Sequence, residues 1–423
     1  MTPPSTTTVA GMLMLPAPTG EAVALAPGRI TIEDGFIAAV VCSEAAGPPP
    51  DADLGGPGWL ICPGFIDAHL HLPQVEAVGG FGLDLLAWLE RVIFPAEQQW
   101  ADAGRAEAAV AAALDELLSF GTTGFCAFSS IHPEATRRAL EHAAARRLRC
   151  AIGQTVIDHS GPEQWLAPAR QRVEETASLL ETFPPHAPAP DGVACRTAAM
   201  VAPRFAPMCS MELMQGLAEL ATRHDALIAS HIAETSEECE LAAAAHGGLP
   251  YARIYEQAGV LGPRTLLGHG IHLDGPGREA LARTGTTIVH CPTANRFLGS
   301  GTMNRPALSA AGVRLALGSD LGAGGERSMV RVARAMLELA RPWGDVPPAA
   351  HAWWQITGGN ADALGWPGAG RLEAGAEADL LAVRPPEGWE RCTHPLERLL
   401  FAWDDRWLRA AWVDGRPAWS RSD

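Results

Sequence analysis

Four short stretches of this 423-residue chain place metal-ligating and acid–base side chains where an apolar run ends. The first reads Asp67-Ala68-His69-Leu70-His71. In an extended strand, alternation puts Asp67, His69 and His71 on one face and Leu70 on the other. Two imidazoles at i and i+2 then make a metal-binding pair. Further along come His231 with Glu234 three residues later, His269 before Gly270, and Ser319-Asp320 entering a Gly-rich turn. Each alone has an ordinary explanation, such as a buried histidine bonded to backbone or a solvated glutamate opening the helix expected over Ser236–Ala245. Together, three histidines and one aspartate offer N and O ligands that suit zinc or iron and leave a position for water. A metal so held lowers the pKa of its water to roughly 7, which gives a hydroxide nucleophile at neutral pH.

Such groups need a scaffold that aims several strand ends at one point. Apolar strand candidates recur at Phe65–Leu70, Thr122–Phe128, Cys150–Val156, Ala198–Ala202, Leu227–His231, Thr265–His269, Thr286–His290 and Val313–Ser319. Helical periodicity separates most of them, as in Ala106–Phe120, Pro133–Arg147, Gln164–Phe183 and Met211–His224. Eight strands alternating with helices predict an α/β chain folded as a parallel (β/α)8 TIM barrel, whose catalytic groups sit at the C-terminal strand ends. The candidate ligands fall at the ends of strands one, five, six and eight. Outside this region, Ala22–Leu25, Arg29–Ile32, Phe36–Val41, Ala378–Val383 and Arg409–Val413 read as strands. Asp34-Gly35 and Asp414-Gly415 are hairpin turn signals. The two chain ends are therefore expected to form one small sheet domain, residues 1–62 with 368–423, leaving 63–367 for the barrel. Gly47–Pro50 and Pro184–Asp191 read as loops, and no self-similar repeat suggests a solenoid.

Composition narrows the classes further. Hydrophobic residues make up 47% and charged residues 19%, enough for a large core. The net charge of −16 argues against nucleic acid as a partner. No lysine is present and all 32 basic residues are arginine, which excludes Schiff-base chemistry, a P-loop lysine and a lysine-bridged metal pair. The nine cysteines form no C-x-x-C pair, so reduced thiols in a cytoplasmic protein are expected. Met1–Gly20 lacks a basic start, its apolar run Met12–Leu15 is short for a leader, and no stretch is long enough to suggest a membrane span. His132-Pro133-Glu134 matches the H-x-E of cytidine-type zinc deaminases, but the partnering P-C-x-x-C is missing.

The stretch Pro63-Gly64-Phe65-Ile66-Asp67-Ala68-His69-Leu70-His71, followed in order by His231, His269-Gly270 and Asp320, resembles the amidohydrolase superfamily. Within it, further stretches resemble the guanine deaminases: Gln74, Leu85-Leu86-Ala87-Trp88-Leu89, Phe94-Pro95-Ala96-Glu97, Pro203-Arg204-Phe205, His290-Cys291-Pro292-Thr293-Ala294-Asn295, and Gly324-Gly325 with Ser328-Met329. The resemblance covers nearly the whole chain and departs from the pattern mainly at Asp158-His159-Ser160 and Pro207-Met208. It implies a distorted barrel flanked by a small β-sandwich from both termini. It also implies one Zn2+ per chain, with Fe2+ as the alternative, bound by His69, His71, His231 and Asp320, with His269 facing the attacking water. Asp320 would act as general base and Glu234 as the proton donor to a ring nitrogen. Gln74, Arg204 and Phe205 would bind a small purine base, together with His231, Glu234 and Asp320. Asp67 would orient a ligating histidine, while His272, His290 and His351 would be structural. The implied reaction is hydrolytic deamination of guanine to xanthine and ammonia, in a homodimer by analogy with related deaminases. The alternative is the same chemistry on 8-oxoguanine, a pterin, cytosine or a triazine.

Overall fold

The apolar runs in the middle of the chain form eight parallel strands because each is flanked by a helix that covers its outer face. A computed structural model describes residues 6–17, 22–42, 52–185 and 196–421. The barrel strands are β5 (Phe65–His71), β6 (Thr122–Phe128), β7 (Arg149–Val156), β8 (Thr197–Pro203), β9 (Ile228–Ile232), β10 (Thr265–His269), β11 (Thr287–His290) and β12 (Arg314–Leu317). They lie in sequence order in one sheet, every neighbouring pair parallel. Along β6, Phe125 and Ala127 pack with the buried face of the helix Ala103–Ser119, while Cys126 reaches Met200 and Phe128 stacks on His71 inside the barrel. This is the (β/α)8 barrel expected from the strand count.

Two joints in the barrel are not made by strand ladders. β8 and β9 share a single register pair, Val201 with Ile228. The gap is bridged by Ser230, whose hydroxyl donates to the Pro203 carbonyl at 2.8 Å, and by an isolated bridge between Phe205 and His231. Among the described residues, β12 and β5 share no ladder, and side chains close that seam. Asn360 donates to the carbonyls of Ile66 and Leu317, both at 2.7 Å, and accepts from the Leu317 amide at 2.9 Å. Asp67 accepts from the Ser319 amide at 3.0 Å and from its hydroxyl, and the Asp320 amide donates to the His69 carbonyl at 2.8 Å.

Strands from both chain ends interleave in one seven-stranded sheet. Its members are β1 (Thr7–Pro16), β2 (Val23–Glu33), β3 (Phe36–Cys42), β4 (Leu54–Pro63), β13 (Leu380–Val383), β14 (Leu408–Val413) and β15 (Arg416–Ser420). β4 and β13 lie side by side and antiparallel, in the order β15-β14-β13-β4-β1-β2-β3. Asp34 and Asp414 both adopt positive φ ahead of Gly35 and Gly415, as the two hairpin signals required. The two short strands expected at Ala22–Leu25 and Arg29–Ile32 are one continuous strand, because β1 pairs along all of it. A buried ion network fastens this sheet to the barrel: Arg196 pairs with Glu377 at 2.7 Å and with Asp379, and Arg149 pairs with Glu377.

The helix expected over Gln164–Phe183 begins only at Ala169, after a separate turn at Glu163–Trp165. Pro168 is the reason, since proline lacks the amide and holds Ala167 out of the helical region. The other three helices fall within a few residues of their expected bounds. The loop expected at Gly47–Pro50 and most of Pro184–Asp191 lie outside the described residues. No disulfide joins any of the described cysteines, and no helix among the described residues is long and apolar enough to cross a membrane.

Asn360 makes three of the buried hydrogen bonds that close the ladder-free seam between β12 and β5. Asn360→Ala is expected to cost about 3 kcal/mol of stability, because it strands buried backbone groups. Urea unfolding checks this, and a loss below about 1 kcal/mol would show that other contacts hold the seam.

Candidate active site

The seam between β5 and β12 carries the densest group of polar side chains in the barrel. His71 Nε2 and His231 Nε2 face each other at 3.1 Å. His69 Nε2 and His71 Nε2 both lie 3.4 Å from Asp320 Oδ1, and His69 Nε2 is buried without a hydrogen-bond partner. His231 Nδ1 lies 2.6 Å from the Arg204 carbonyl oxygen. A carbonyl only accepts, so this nitrogen carries the proton and Nε2 keeps its lone pair. Three ring nitrogens and a carboxylate oxygen thus converge in a dry place, and an orphaned imidazole nitrogen is among them. This donor set fits a divalent metal ion of the zinc or iron kind. Cys291 Sγ lies within the same reach of His69 and Asp320. Its thiol is pushed well above its usual range by burial, so it stays a neutral neighbour.

The backbone is forced to deliver these groups. His269, Asp320 and Ala233 all hold positive φ, of 74°, 51° and 49°, a conformation that costs non-glycine residues about 1–3 kcal/mol and clusters at functional sites. Two glycines make room for the His69 ring. A Cβ on Gly268 would stand 2.8 Å from His69 Cε1, and one on Gly318 would stand 2.7 Å from His69 Cβ. Asp67, expected to orient a metal-binding histidine, holds His69 through its backbone. Its carboxylate accepts from the His69 backbone amide at 3.1 Å and from Ser319, so it orders the two chain segments that carry the ligands.

Two carboxyl environments sit in this cluster, and they are perturbed in opposite directions. Burial pushes the Glu234 carboxyl well above its usual range, and the charges of Asp320 and Glu238 add to it against hydrogen bonds from Ser300 and Asn295. Burial would raise Asp320 as well, but the imidazoles of His69, 3.4 Å away, and His269 outweigh it and hold Asp320 below the usual range. The two carboxyls are thus pushed in opposite directions. His269 is lowered to about 4 by burial and stays neutral near pH 7. The Asn295 amide nitrogen meets its Nδ1 at 2.9 Å and can only donate there. That leaves His269 Nε2–H facing Glu234 at 3.3 Å and Asp320 at 3.9 Å. Ser300 donates to Glu234 Oε1 at 2.7 Å. Glu234 is therefore a buried, tethered acid and not a solvated helix-opening residue.

These groups open into a cavity of about 430 Å³, its mouth included. Every expected site residue except His69 lines it: His71, Gln74, Arg204, Phe205, His231, Glu234, His269 and Asp320. His69 lies beneath them against Asp320. Leu85, Trp88 and Leu89, from the segment after β5, give the cavity an apolar wall. Arg204 and Gln74 are both buried, and both bond a residue to which the sequence reading gave no role. Glu97 accepts from Arg204 Nη1 at 2.7 Å, from Arg204 Nη2 at 3.1 Å and from Gln74 Nε2 at 2.9 Å. Asn295, Ser300 and Tyr255 were likewise missed. Tyr255 donates to the His231 carbonyl at 2.7 Å and accepts from the Ala206 amide at 3.1 Å. The signal for Glu97 was an acidic residue in an otherwise apolar stretch, Ile93-Phe94-Pro95-Ala96, since a charge there needs a partner. His272 donates to the Ser300 carbonyl at 3.0 Å, just outside the cavity.

Comparison with known proteins agrees with this arrangement. Residues 60–418, which contain every candidate site residue, match the amidohydrolase family. The chain is 35% identical over 356 residues to a probable guanine deaminase of Deinococcus radiodurans, covering 82% of this chain and 79% of that protein. It is 29% identical over 379 residues to the guanine deaminase of Escherichia coli, covering 86% and 84%. The crystal structure of guanine deaminase from Bradyrhizobium japonicum superposes with a TM-score of 0.89 at 27% identity, over 99% of this chain and 100% of that one. The family match spans the barrel and the β4 and β13–β15 strands of the terminal sheet, and with the ligand set at the strand ends it leads to one conclusion: this chain belongs to the amidohydrolase family.

Proposed function

We propose that this protein deaminates guanine hydrolytically, converting guanine and water to xanthine and ammonia. The observation that carries the reading is the buried pair Arg204 and Gln74, which lines one cavity together with Glu234, whose carboxyl burial pushes well above its usual range. A guanidinium offers only N–H donors, so it suits the carbonyl oxygen of the six-membered ring. Gln74 adds a second directional contact and Phe205 packs on the base. The named relatives act on the same base, which supports the choice among amino-heterocycles.

His69, His71, His231 and Asp320 would hold one Zn2+ ion, with Fe2+ the other ion that suits them. Such an ion supplies a water acidic enough to be a nucleophile near neutral pH. The chain's own groups handle the protons. Asp320, held ionised by its histidine neighbours, accepts the proton released as water adds to the carbon bearing the amino group. Glu234 gives its proton to the adjacent ring nitrogen, so negative charge does not build on the ring. The His269 Nε2–H faces both carboxylates and steadies the site as the proton moves from one side to the other. Asp320 then passes the proton it took to the amino nitrogen, and the carbon–nitrogen bond breaks to release ammonia. The proton left on the added oxygen returns to Glu234 as the new carbonyl forms. The apolar wall of Leu85, Trp88 and Leu89 excludes bulk water, which strengthens each of these interactions.

Glu234→Gln keeps the size and the hydrogen-bonding shape but has no proton to give at this step. Its kcat should fall about 10²- to 10⁴-fold while bound metal stays at the wild-type level, and near-normal kcat would sink the proton-donor role. Gln74→Ala should raise KM for guanine about tenfold with metal content unchanged, because it removes a contact to the base and none to the ligand set. Ammonia release from guanine, 8-oxoguanine, a pterin, cytosine and a triazine tests the substrate. Guanine is expected to lead by at least about 100-fold in kcat/KM. A lead for any other compound would keep the chemistry and overturn the pocket assignment.

A further inference from the structure

Glu97 belongs to none of the groups that hold metal or move protons, yet it is completely buried (0% exposed). A buried carboxylate must be matched by donors, and here the donors are the two side chains that give the cavity its polar edges. Arg204 grips it through both terminal nitrogens, Nη1 to Oε2 and Nη2 to Oε1, a fork that fixes the guanidinium plane. Arg204 also lies 5.3 Å above the ring of Phe94, three residues before Glu97 on the same helix, Phe94–Gln98. Gln74 Nε2 meets Glu97 Oε1 at 2.9 Å. A carboxylate only accepts, so this contact dictates which way the amide of Gln74 points. Its nitrogen is taken, and Gln74 Oε1 is left buried with no partner in a side chain that lines the cavity.

We propose that Glu97 is the positioning residue that sets specificity, locking Gln74 to present an acceptor and Arg204 to present donors to the ring. The inference rests on the reading that Arg204 receives a carbonyl oxygen. The locked pair demands a ligand with an N–H on one edge and an oxygen on the other. Guanine meets that demand through its N–H groups and its ring carbonyl. 2,6-Diaminopurine has the same size but places a second amino group where the oxygen belongs, which sets donor against donor. A pocket built to pair a polar group rejects the mismatch strongly, because its own buried groups are then left unpaired.

The test is the ratio of kcat/KM for guanine to that for 2,6-diaminopurine, in the wild-type protein and in Glu97→Gln. The amide introduced by the substitution can donate as well as accept, so Gln74 is free to turn over and the Arg204 fork loses one acceptor. The ratio should be at least about 100 in the wild type and should fall about 10- to 100-fold in the variant. Most of that fall should come from a raised KM for guanine, with kcat and metal content changing little. A purely structural role would depress both substrates alike and leave the ratio unchanged, which would overturn the inference alone. A wild-type ratio near one would overturn the carbonyl reading of Arg204 and this inference with it. Should Glu97→Gln not fold, Glu97→Asp gives the same readout, since the shorter carboxylate cannot reach all three donors. A preserved ratio there would equally overturn the inference.

Discussion

Placing three imidazoles and an ionised carboxylate against one another in a dry site is unfavourable unless something shared satisfies them, and most of the barrel's irregularities trace to that requirement. Burial and the neighbouring imidazoles push His71 and His231 well below their usual range, so these rings are neutral, each with one N–H and one lone-pair nitrogen. Neutral rings with lone pairs aimed inward repel one another unless a cation lies between them. The arrangement is therefore stable as a ligand set and poor as anything else. Holding it takes strained φ at His269 and Asp320, glycines at 268 and 318, and a seam sewn by Asn360 and Asp67 where a ladder would have fixed different geometry.

The same crowding sorts the two carboxylates. Asp320 stands against His69 and is held below its usual range, whereas burial and the charges of Asp320 and Glu238 push Glu234 well above its own. In the proposed mechanism this difference in environment assigns one acidic side chain as acceptor and the other as donor, so that one site supplies both halves of acid–base chemistry near neutral pH. The helix Tyr251–Gln257 steadies this from behind. Tyr255 fixes the backbone of His231, and Tyr251 donates to Glu238, which in turn accepts from the Glu234 amide at 2.7 Å.

What the sequence made legible were residues whose chemistry is conspicuous against an apolar background. His69, His71, His231, His269 and Asp320 each end an apolar run, and local periodicity suffices to find such ends. Glu234 was legible from its distance to His231. The supporting residues were not, because their roles depend on partners remote in the chain. Glu97 meets Arg204 across 107 positions, and Asn360 reaches Ile66 across 294. No local pattern encodes such pairings. For Asp67, alternation fixes the side of the strand but not that its carboxylate reaches His69 through the backbone amide. In the terminal sheet, β1 went unread because Met12–Leu15 is distinctive only once β2 and β4 are known to flank it. Pro168, by contrast, was a local signal that outweighs the apolar periodicity around it.

The proposed chemistry depends on His69, His71, His231 and Asp320 acting together as ligands to one metal ion. The direct measurement follows bound metal and ammonia release from guanine on the same sample while a chelator strips the protein, then during stepwise return of Zn2+. The account predicts that activity and metal fall together, and that activity is restored in full at one equivalent per chain. Turnover that persists in metal-free protein, or restoration that requires two equivalents, would contradict it.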